Sequence, residues 1–274
     1  MGGEMKIIFP KNTNQHYWKI HYQYLLDVLK YSGAEIEFGP NTELDSVRFT
    51  INVDGKEVLV DFSDHTELYP KHKDYEYCLK FHYTEGLHEG YSNVYPLGPV
   101  SFYDWEQYYQ LLDEIKYKHG RLILNNQVPY AGALERRTKV QLMLKKQWEY
   151  RDNIEFRKIK QIDFWKRINI CLVSVCVPGA RNDMLDRGQV QYMAFGACTI
   201  SPYLKTVLPY YQKLIPNRDY IKCEDDYSDL IERIEWARNN YEECILMGQR
   251  AKNKFLSYCS PTEIRRWIDK TINP

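Results

Sequence analysis

The apolar run at residues 170–177, which ends at Pro178-Gly179, restricts the fold more than any other segment of this sequence. It is too short to cross a bilayer, since a membrane helix needs about 20 apolar residues. A short apolar run that stops at a turn is typical of a central parallel strand with both faces covered. The run therefore predicts a parallel α/β layer and gives no sign of a membrane span.

Strand and helix patterns alternate on both sides of this run. Residues 47–53 alternate strictly in polarity, Asp54-Gly55 is a strong turn signal, and the largely apolar residues 58–62 follow it, which together predict a hairpin. The other predicted strands are 7–9, 34–38, 77–83, 93–97, 121–124, 153–156 and 197–200, and the helices are 18–30, within 101–117, 133–146, 187–195, 227–239, 241–258 and one from Pro261. This order predicts an α/β protein of two Rossmann-like lobes, 1–118 and 119–274, with the final helices packing back on the first lobe.

Composition excludes several classes of protein. The chain has 274 residues, and 37 basic residues balance 37 acidic ones, so a nucleic-acid binder is not expected. An aromatic content of 15% excludes disorder as the main state. The 7 cysteines form no CxxC pair and the start of the chain has no signal-peptide pattern. Reduced, buried thiols and a cytoplasmic location are therefore expected.

Several common catalytic motifs are missing from the sequence. The strand at residues 7–9 is followed by Pro10-Lys11-Asn12 and not by a glycine-rich nucleotide loop, and neither a P-loop nor a G-x-S-x-G elbow occurs. His and Cys residues do not have zinc-ligand spacing, and no Asp-x-Asp pair occurs. We therefore expect an α/β enzyme without a metal or other cofactor.

The segment after the apolar run carries the chemistry. A polar loop leads to a helix that begins at Asp186-Arg187, at the strand end where open α/β sheets bind ligands. A helix N-terminus beside an arginine suits a diphosphate, because both supply hydrogen-bond donors and positive charge. Gln191 follows Arg187 by one helical turn, so its amide is predicted to reach a ribose hydroxyl.

This stretch resembles the donor-binding part of GT-B glycosyltransferases, above all the exostosin-like families, in the compact form found in bacteria and large algal viruses. Pro178-Gly179 matches the turn of that family, Arg187 matches an arginine, and Gly196-Ala197-Cys198 matches the small-residue turn. Gln191 stands where the family usually has Glu, so the ribose contact would carry no charge. Residues 132–139 resemble the arginine-bearing helix of the family, and the resemblance covers residues 120–235.

The resemblance implies a metal-independent enzyme with two GT-B lobes, a cleft between them, and a UDP-sugar as donor. It would transfer the sugar to a hydroxyl of a glycan or glycoprotein acceptor. The residues expected to bind the donor are Arg136, Arg137, Pro178, Gly179, Arg181, Asp186, Arg187 and Gln191. Either Arg136 or Arg137 is expected to contact the diphosphate while the other faces solvent.

The first lobe is expected to bind the acceptor and to supply a general base, which an inverting transfer needs. His16 follows the first strand and Asp64 follows the strand at residues 58–62, so both are candidates for the base. His65, Lys80 and His82 are candidates for acceptor contacts. Many of the 24 tyrosines lie in this lobe, and their polar rings suit sugars.

Two other functions remain open on the sequence alone. The same lobes could belong to a nucleotide- or glycan-binding protein without turnover. They could also belong to a sugar-nucleotide epimerase of the two-lobe type. Release of free UDP only in the presence of an acceptor would separate the transferase from both.

Overall fold

In a computed structural model of the protein, the described residues are 5–11, 16–99, 105–114, 120, 122–125, 129, 131–147, 160–179 and 181–274. For residues 16–20, 113 and 131 the description covers the backbone alone. The chain is an α/β protein that divides into two compact units. The first unit comprises Met1–Tyr108, Thr206–Lys213 and Ser257–Pro274, and the second comprises Tyr109–Lys205 and Leu214–Leu256.

Helices and strands are labelled in chain order. The strands of the described residues are β1 Lys6–Pro10, β2 Glu35–Gly39, β3 Glu43–Asp45, β4 Arg48–Val53, β5 Lys56–Asp61, β6 Tyr77–Lys80, β7 Val94–Pro96, β8 Leu122–Leu124, β9 Cys171–Val175, β10 Thr199–Ser201, β11 Val207–Leu208, β12 Gln212–Lys213 and β13 Ile221–Lys222. The α-helices of the same residues are α1 His16–Tyr31, α2 Trp105–Glu114, α3 Leu134–Lys146, α4 Gln161–Ile168, α5 Arg187–Ala194, α6 Leu230–Asn239, α7 Tyr241–Cys259 and α8 Pro261–Ile272.

The first unit is built on a mixed sheet of order β2-β1-β4-β5-β6-β7, with β3 paired to β4. The pairs β1/β2, β5/β6 and β6/β7 are parallel, whereas β1/β4 and β4/β5 are antiparallel. The β4/β5 pair is the predicted hairpin, which is confirmed: Asp54 and Gly55 both have positive φ, 51° and 88°. Two such residues are what a tight hairpin turn requires. The sheet of this unit is therefore only partly parallel.

Helices α1 and α8 pack against each other in the first unit. The ring of Tyr22 in α1 lies 4.9 Å from that of Phe9 in β1, measured between centroids. From α8, the indole nitrogen of Trp267 donates to the carbonyl oxygen of Pro96 at 2.6 Å, and Arg265 donates to that of Ser32 at 2.9 Å. The last helix of the chain therefore belongs to the core of the first unit.

The second unit contains a parallel sheet of order β13-β10-β9-β8. Every residue of β9 is buried, which confirms the prediction of a central parallel strand with both faces covered. The side chain of Asp186 caps α5 by accepting a hydrogen bond from the Gly188 amide at 2.8 Å. The helix is followed by Gly196 with φ of +80°, the conformation expected of a C-terminal glycine.

Three sequence predictions about these elements need comment. The predicted strand 77–83 is too long, because β6 ends at Lys80, opposite the last residue of β5, Asp61. The helix predicted from residue 227 begins only at Leu230, because the segment before it folds into turns in which Ser228 donates to Asp226. The predicted strand 153–156 lies outside the described residues.

The cysteines of the chain are free and buried, as the sequence predicted. Burial raises the pKa of Cys171 to about 12 and that of Cys78 to about 12 as well. Such thiols remain protonated at neutral pH and are poor nucleophiles. They act as small core residues of the two units.

Candidate functional site

A cavity of about 380 Å³ lies at the carboxyl edge of the parallel sheet in the second unit. We call it the strand-end pocket, and its lining residues are Arg181, Asn182, Asp183, Tyr203, Lys205 and Asp225. These residues belong to the loops that follow β9, β10 and β13, which are neighbours in the sheet. Parallel strands bring their carboxyl ends to one edge, so three separate parts of the chain converge there.

Asp183 forms ion pairs with the two basic side chains of the strand-end pocket, Arg181 and Lys205. One of its carboxylate oxygens lies 2.7 Å from Nη2 of Arg181, and the other lies 3.4 Å from Nζ of Lys205. The backbone amide of Lys205 also donates to the carbonyl oxygen of Asp183 at 2.7 Å. The loops after β9 and β10 are thereby tied together, with a guanidinium and an ammonium group on the same carboxylate.

Asn182 connects the same loop to the one that follows β13. Its Nδ2 atom donates to the carbonyl oxygen of Asp225 at 2.7 Å, and the hydroxyl of Tyr227 donates to its Oδ1 atom at 3.0 Å. Tyr227 is buried and has φ of 62°. A non-glycine residue in the left-handed region is strained, and such strain is common beside binding sites.

Arg136 and Arg137 of α3 brace the turn that follows β9. Nη2 of Arg136 donates to the carbonyl oxygens of Pro178, at 3.2 Å, and of Gly179. Nε of Arg137 donates to the Val177 carbonyl oxygen at 3.1 Å, and its Nη2 lies 3.2 Å from the Asp186 carboxylate. One of these arginines was expected to contact a diphosphate and the other to face solvent. In the structure both donate hydrogen bonds to the loop after β9.

The remaining donor-site predictions fall on α5 and the turn before it. Pro178 and Gly179 are both buried, and Arg187 is exposed at the first position of the helix. Gln191 has only 4% of its surface exposed, and its Oε1 atom accepts a hydrogen bond from the indole of Trp165 at 3.0 Å. The structure therefore directs Gln191 into the core, and Arg187 is the predicted residue of this helix that faces solvent.

A second group of polar residues lies at the carboxyl edge of the parallel strands in the first unit. We call it the acid–base cluster and define it by Arg48, Asp61, Ser63, Asp64, Lys80 and His82. Asp61 ends β5 and Lys80 ends β6, and the two are register partners. Asp64 and His82 follow these strands, so the loops that leave β5 and β6 meet at this edge.

Lys80 and Asp61 form the innermost part of the acid–base cluster, and both are fully buried. Nζ of Lys80 donates to the carbonyl oxygen of Ser63 at 2.7 Å and to its Oγ atom at 2.9 Å, and it lies 3.3 Å from Asp61 Oδ1. Burial leaves Lys80 no surface to offer an acceptor, which was its predicted role. Its bonds instead hold the loop that carries Asp64.

Arg48 is the second cation beside the buried Asp61 carboxylate. Its Nε atom lies 3.1 Å from Asp61 Oδ2, an ion pair without hydrogen-bond geometry. Burial alone would raise the pKa of Asp61, but the charges of Lys80 and Arg48 and the hydrogen bonds from Ser63 outweigh it and lower the pKa. Burial lowers the pKa of Lys80, although Asp61 opposes this.

Asp64 is the member of the cluster that reaches solvent. Its side chain is 31% exposed, and its Oδ1 atom lies 3.1 Å from Nε2 of His82, which is buried. Burial raises the pKa of Asp64, but the hydrogen bond and charge of His82, with the charges of His21 and Lys80, bring it below the ordinary value of 3.8. Asp64 is thus ionised at neutral pH, and His82 lies behind it instead of facing an acceptor.

For the two other predicted residues of the first lobe, His65 and His16, the structure gives only limited information. His65 follows Asp64 and is exposed. His16 is the first residue of α1, and its side chain lies outside the described part of the chain, as do residues 12–15. The role of His16 as a base therefore stays a prediction.

Sequence reasoning missed Lys205 and Asp183 in the strand-end pocket and Asp61 in the acid–base cluster. Their positions in the sequence could have indicated them. Asp61 ends the buried strand β5, and Asp183 and Lys205 lie in the loops that follow β9 and β10. Among the described residues, no group of three or more His, Cys, Asp or Glu side chains is arranged to hold a metal ion. Within the same residues, no helix combines the length and the apolar character that crossing a membrane requires.

No protein-family model matches the sequence, and no curated protein matches it significantly.

Proposed function

We propose that this protein is a metal-independent glycosyltransferase of GT-B type with two Rossmann-like lobes. It transfers a sugar from a nucleoside diphosphate donor, preferably a UDP-sugar, to a hydroxyl group of a glycan or glycoprotein. The observation that carries the proposal is the strand-end pocket, which lies where nucleotide-binding α/β sheets hold their ligands. The resemblance of residues 120–235 to exostosin-like donor lobes supports the same function.

The chemistry of the strand-end pocket fits a nucleoside diphosphate. Its volume of about 380 Å³ falls in the range of roughly 300–1,000 Å³ that is usual for small-molecule sites. Arg181 and Lys205 can bind phosphate oxygens, the first as a fork of N–H donors and the second as a point charge. The ring of Tyr203 offers a flat surface for a base or a sugar.

The acid–base cluster would supply the base for an inverting transfer. The acceptor hydroxyl oxygen attacks the anomeric carbon, the bond from that carbon to the diphosphate breaks, and the diphosphate leaves with the electron pair. Asp64 takes the hydroxyl proton. The lowered pKa keeps Asp64 ionised before the reaction, so its carboxylate can accept that proton, but it also makes Asp64 a weaker base than a group whose pKa is near neutral. His82 and Lys80 act as positioning residues, through Asp64 and through the loop that carries it.

Donor binding is tested first, with UDP-, GDP- and CMP-sugars in the presence and absence of EDTA. We expect UDP-sugars to raise the melting temperature equally in both conditions, and Arg181→Ala to weaken their binding about tenfold or more, because a charge-assisted contact is lost. Arg218→Ala is the matched control, since Arg218 is exposed in the same unit and lies outside the pocket. If no nucleotide stabilises the wild-type protein, the proposal fails.

Transfer is tested separately from binding. Asp64→Asn should lower the transfer rate about 100-fold or more while donor affinity is unchanged, because removal of a general base has an effect of roughly 10²–10⁴. Arg187→Ala should reduce transfer while the fold persists. Normal transfer by Asp64→Asn would move the role of base to His16, and UDP release that does not depend on an acceptor would favour the epimerase or a binding protein.

A further inference from the structure

A separate cavity of about 550 Å³ lies in the first unit and is rich in aromatic residues. We call it the aromatic pocket, and the residues that matter for its chemistry are Glu76, Tyr77, Asn93, Tyr95, Trp267 and Lys270. It lies between the strands β6 and β7 and the helix α8. None of the predicted site residues lines it.

The aromatic pocket is distinct from the acid–base cluster. Tyr77 is the first residue of β6, whereas Lys80 is its last. Side chains alternate between the two faces of a strand, so Tyr77 lies on the face opposite to Lys80. Leu79 is the register partner of Tyr95, and Tyr77 therefore shares a face with Tyr95. A ligand in this pocket would leave Asp64 accessible.

The rings of the aromatic pocket are held in place by other residues. The centroids of Tyr77 and Tyr95 are 6.2 Å apart, and the ring planes are inclined by only 32°. The hydroxyl of Tyr77 donates to Glu76 at 2.8 Å, and the indole of Trp267 donates to the Pro96 carbonyl oxygen at 2.6 Å. A ligand would therefore meet rings whose orientation is set in advance, which lowers the entropy lost on binding.

A strained turn extends the aromatic surface beside Trp267. Tyr210 and Tyr211 follow one another with φ of 57° and 56°, a conformation that side chains larger than glycine rarely adopt. The centroid of Trp267 lies 5.0 Å from that of Tyr210 and 5.6 Å from that of Tyr211. Tyr211 is nonetheless 47% exposed. The strain thus keeps a large ring at the surface, which is an arrangement found at ligand clamps.

We propose that the aromatic pocket binds a neutral oligosaccharide. A sugar ring has an apolar face of C–H groups, which packs on an aromatic ring, and hydroxyl groups at its edge, which need polar partners. Tyr95, which is partly exposed, provides the main ring surface, and Tyr77 and Trp267, each 6% exposed, add only the small accessible parts of their rings. The carboxylate of Glu76 and the ammonium group of Lys270 provide an acceptor and a donor. The described residues that line the pocket include no arginine, so the pocket lacks the fork of N–H donors that suits a phosphate group.

The choice of an oligosaccharide among neutral ligands rests on the proposed transferase function. In that function the pocket holds a part of the acceptor chain that does not react. Because the pocket lies on the face of the sheet opposite to the acid–base cluster, only a long acceptor could also place a reacting hydroxyl near Asp64. Binding energy from a remote part of a substrate can then be used to place the reacting group. The enzyme would accordingly prefer acceptors of several sugar units to monosaccharides.

The test is a calorimetric titration of the full chain with the neutral pentamers of β-1,4-glucose, α-1,4-glucose and β-1,4-N-acetylglucosamine. At least one pentamer should bind, and Tyr95→Leu should weaken it about tenfold, because Leu is apolar but has no flat ring. Tyr95→Phe should retain the affinity. Tyr31→Leu, at a tyrosine that is 48% exposed outside the pocket, is the matched control.

Lys270→Ala, at an exposed position, is a second variant in case Tyr95→Leu does not fold. It should weaken the same pentamer about threefold through the loss of one hydrogen bond. The proposal is overturned if no pentamer binds at millimolar concentration, or if the folded variants at Tyr95 and Lys270 both bind like the wild type. Parallel titrations with UDP-glucose test donor binding separately. If UDP-glucose does not bind but a pentamer does, the transferase proposal fails while the aromatic pocket is still shown to bind an oligosaccharide.

Discussion

Single side chains in this protein have roles that depend on what they contact, and Lys80 shows this best. A lysine in the sequence suggests a surface cation, whereas Lys80 is fully buried and bonded to Ser63 and Asp61. A buried ammonium group is stable only beside an anion and hydrogen-bond acceptors. Its position at the end of β6 provides both, so the residue organises the loop before Asp64.

The same buried pair leads to a prediction for Asp61→Asn. The change leaves Lys80 and Arg48 without their shared carboxylate, and we expect a loss of about 3–5 kcal/mol in the free energy of unfolding at neutral pH. The pKa of Asp61 in the folded protein is lower than its ordinary value of 3.8. Its ionisation therefore stabilises the fold fully above pH 3.8, and this contribution is lost as the pH falls through the folded pKa.

The difference in the free energy of unfolding between the wild type and Asp61→Asn should therefore become smaller as the pH is lowered below 3.8. Urea unfolding at a series of pH values measures it. Glu57→Gln, on the same strand but exposed, is the control and should show a small difference. A difference for Asp61→Asn that is the same at neutral pH and in acid would show that ionisation of Asp61 does not stabilise the fold.

At the scale of elements, a close approach of two backbones joins α7 to the turn before β10. A Cβ atom added to Gly248 would lie only 2.1 Å from the carbonyl oxygen of Gly196. No real Cβ makes such a contact, so the helix and the turn would have to separate. The glycine of α7 is needed for this packing.

We therefore expect Gly248→Ala to lower the free energy of unfolding by about 1–3 kcal/mol, the usual effect of overpacking, despite the better helix propensity of Ala. Gly90→Ala is the matched control, because a Cβ added there has no neighbour within 4 Å. Chemical denaturation of both variants measures the effect. A Gly248→Ala protein as stable as the wild type would show that α7 does not approach the turn as described.

At the scale of the whole molecule, the two units do not follow the order of the chain. The first unit takes Thr206–Lys213 and Ser257–Pro274 from the second half of the sequence. Ile268 of α8 is fully buried in that unit, and Ile234 of α6 is fully buried in the other. These two isoleucines give a matched pair of substitutions.

Truncation of a buried isoleucine to alanine usually lowers stability by about 2–5 kcal/mol. Ile268→Ala should raise amide hydrogen exchange in α1 and β7, and Ile234→Ala should raise it in β9 and β10. Mass spectrometry of peptic fragments measures both. If Ile268→Ala affects only β9 and β10, the assignment of α8 to the first unit is wrong.

Local signals in the order of amino acids predicted several elements of the fold. The apolar run that became β9, the Asp54-Gly55 hairpin and the start of α5 at Asp186-Arg187 all depend on neighbouring residues, and all were predicted. Periodicity and turn residues act over a few positions, so they can be read directly from the order of amino acids. The expectation of ligand binding after β9 came from the same kind of signal.

Which side chains contact one another depends on packing between distant segments of the chain. Asp183 contacts Lys205 because β9 and β10 are neighbours, and Lys80 contacts Asp61 because β5 and β6 end in register. The burial of Gln191 and the aromatic pocket that contains Tyr95 and Trp267 likewise depend on packing between distant segments. Such contacts arise from strand order and helix docking, which many chain positions determine together, so no local pattern in the sequence encodes them.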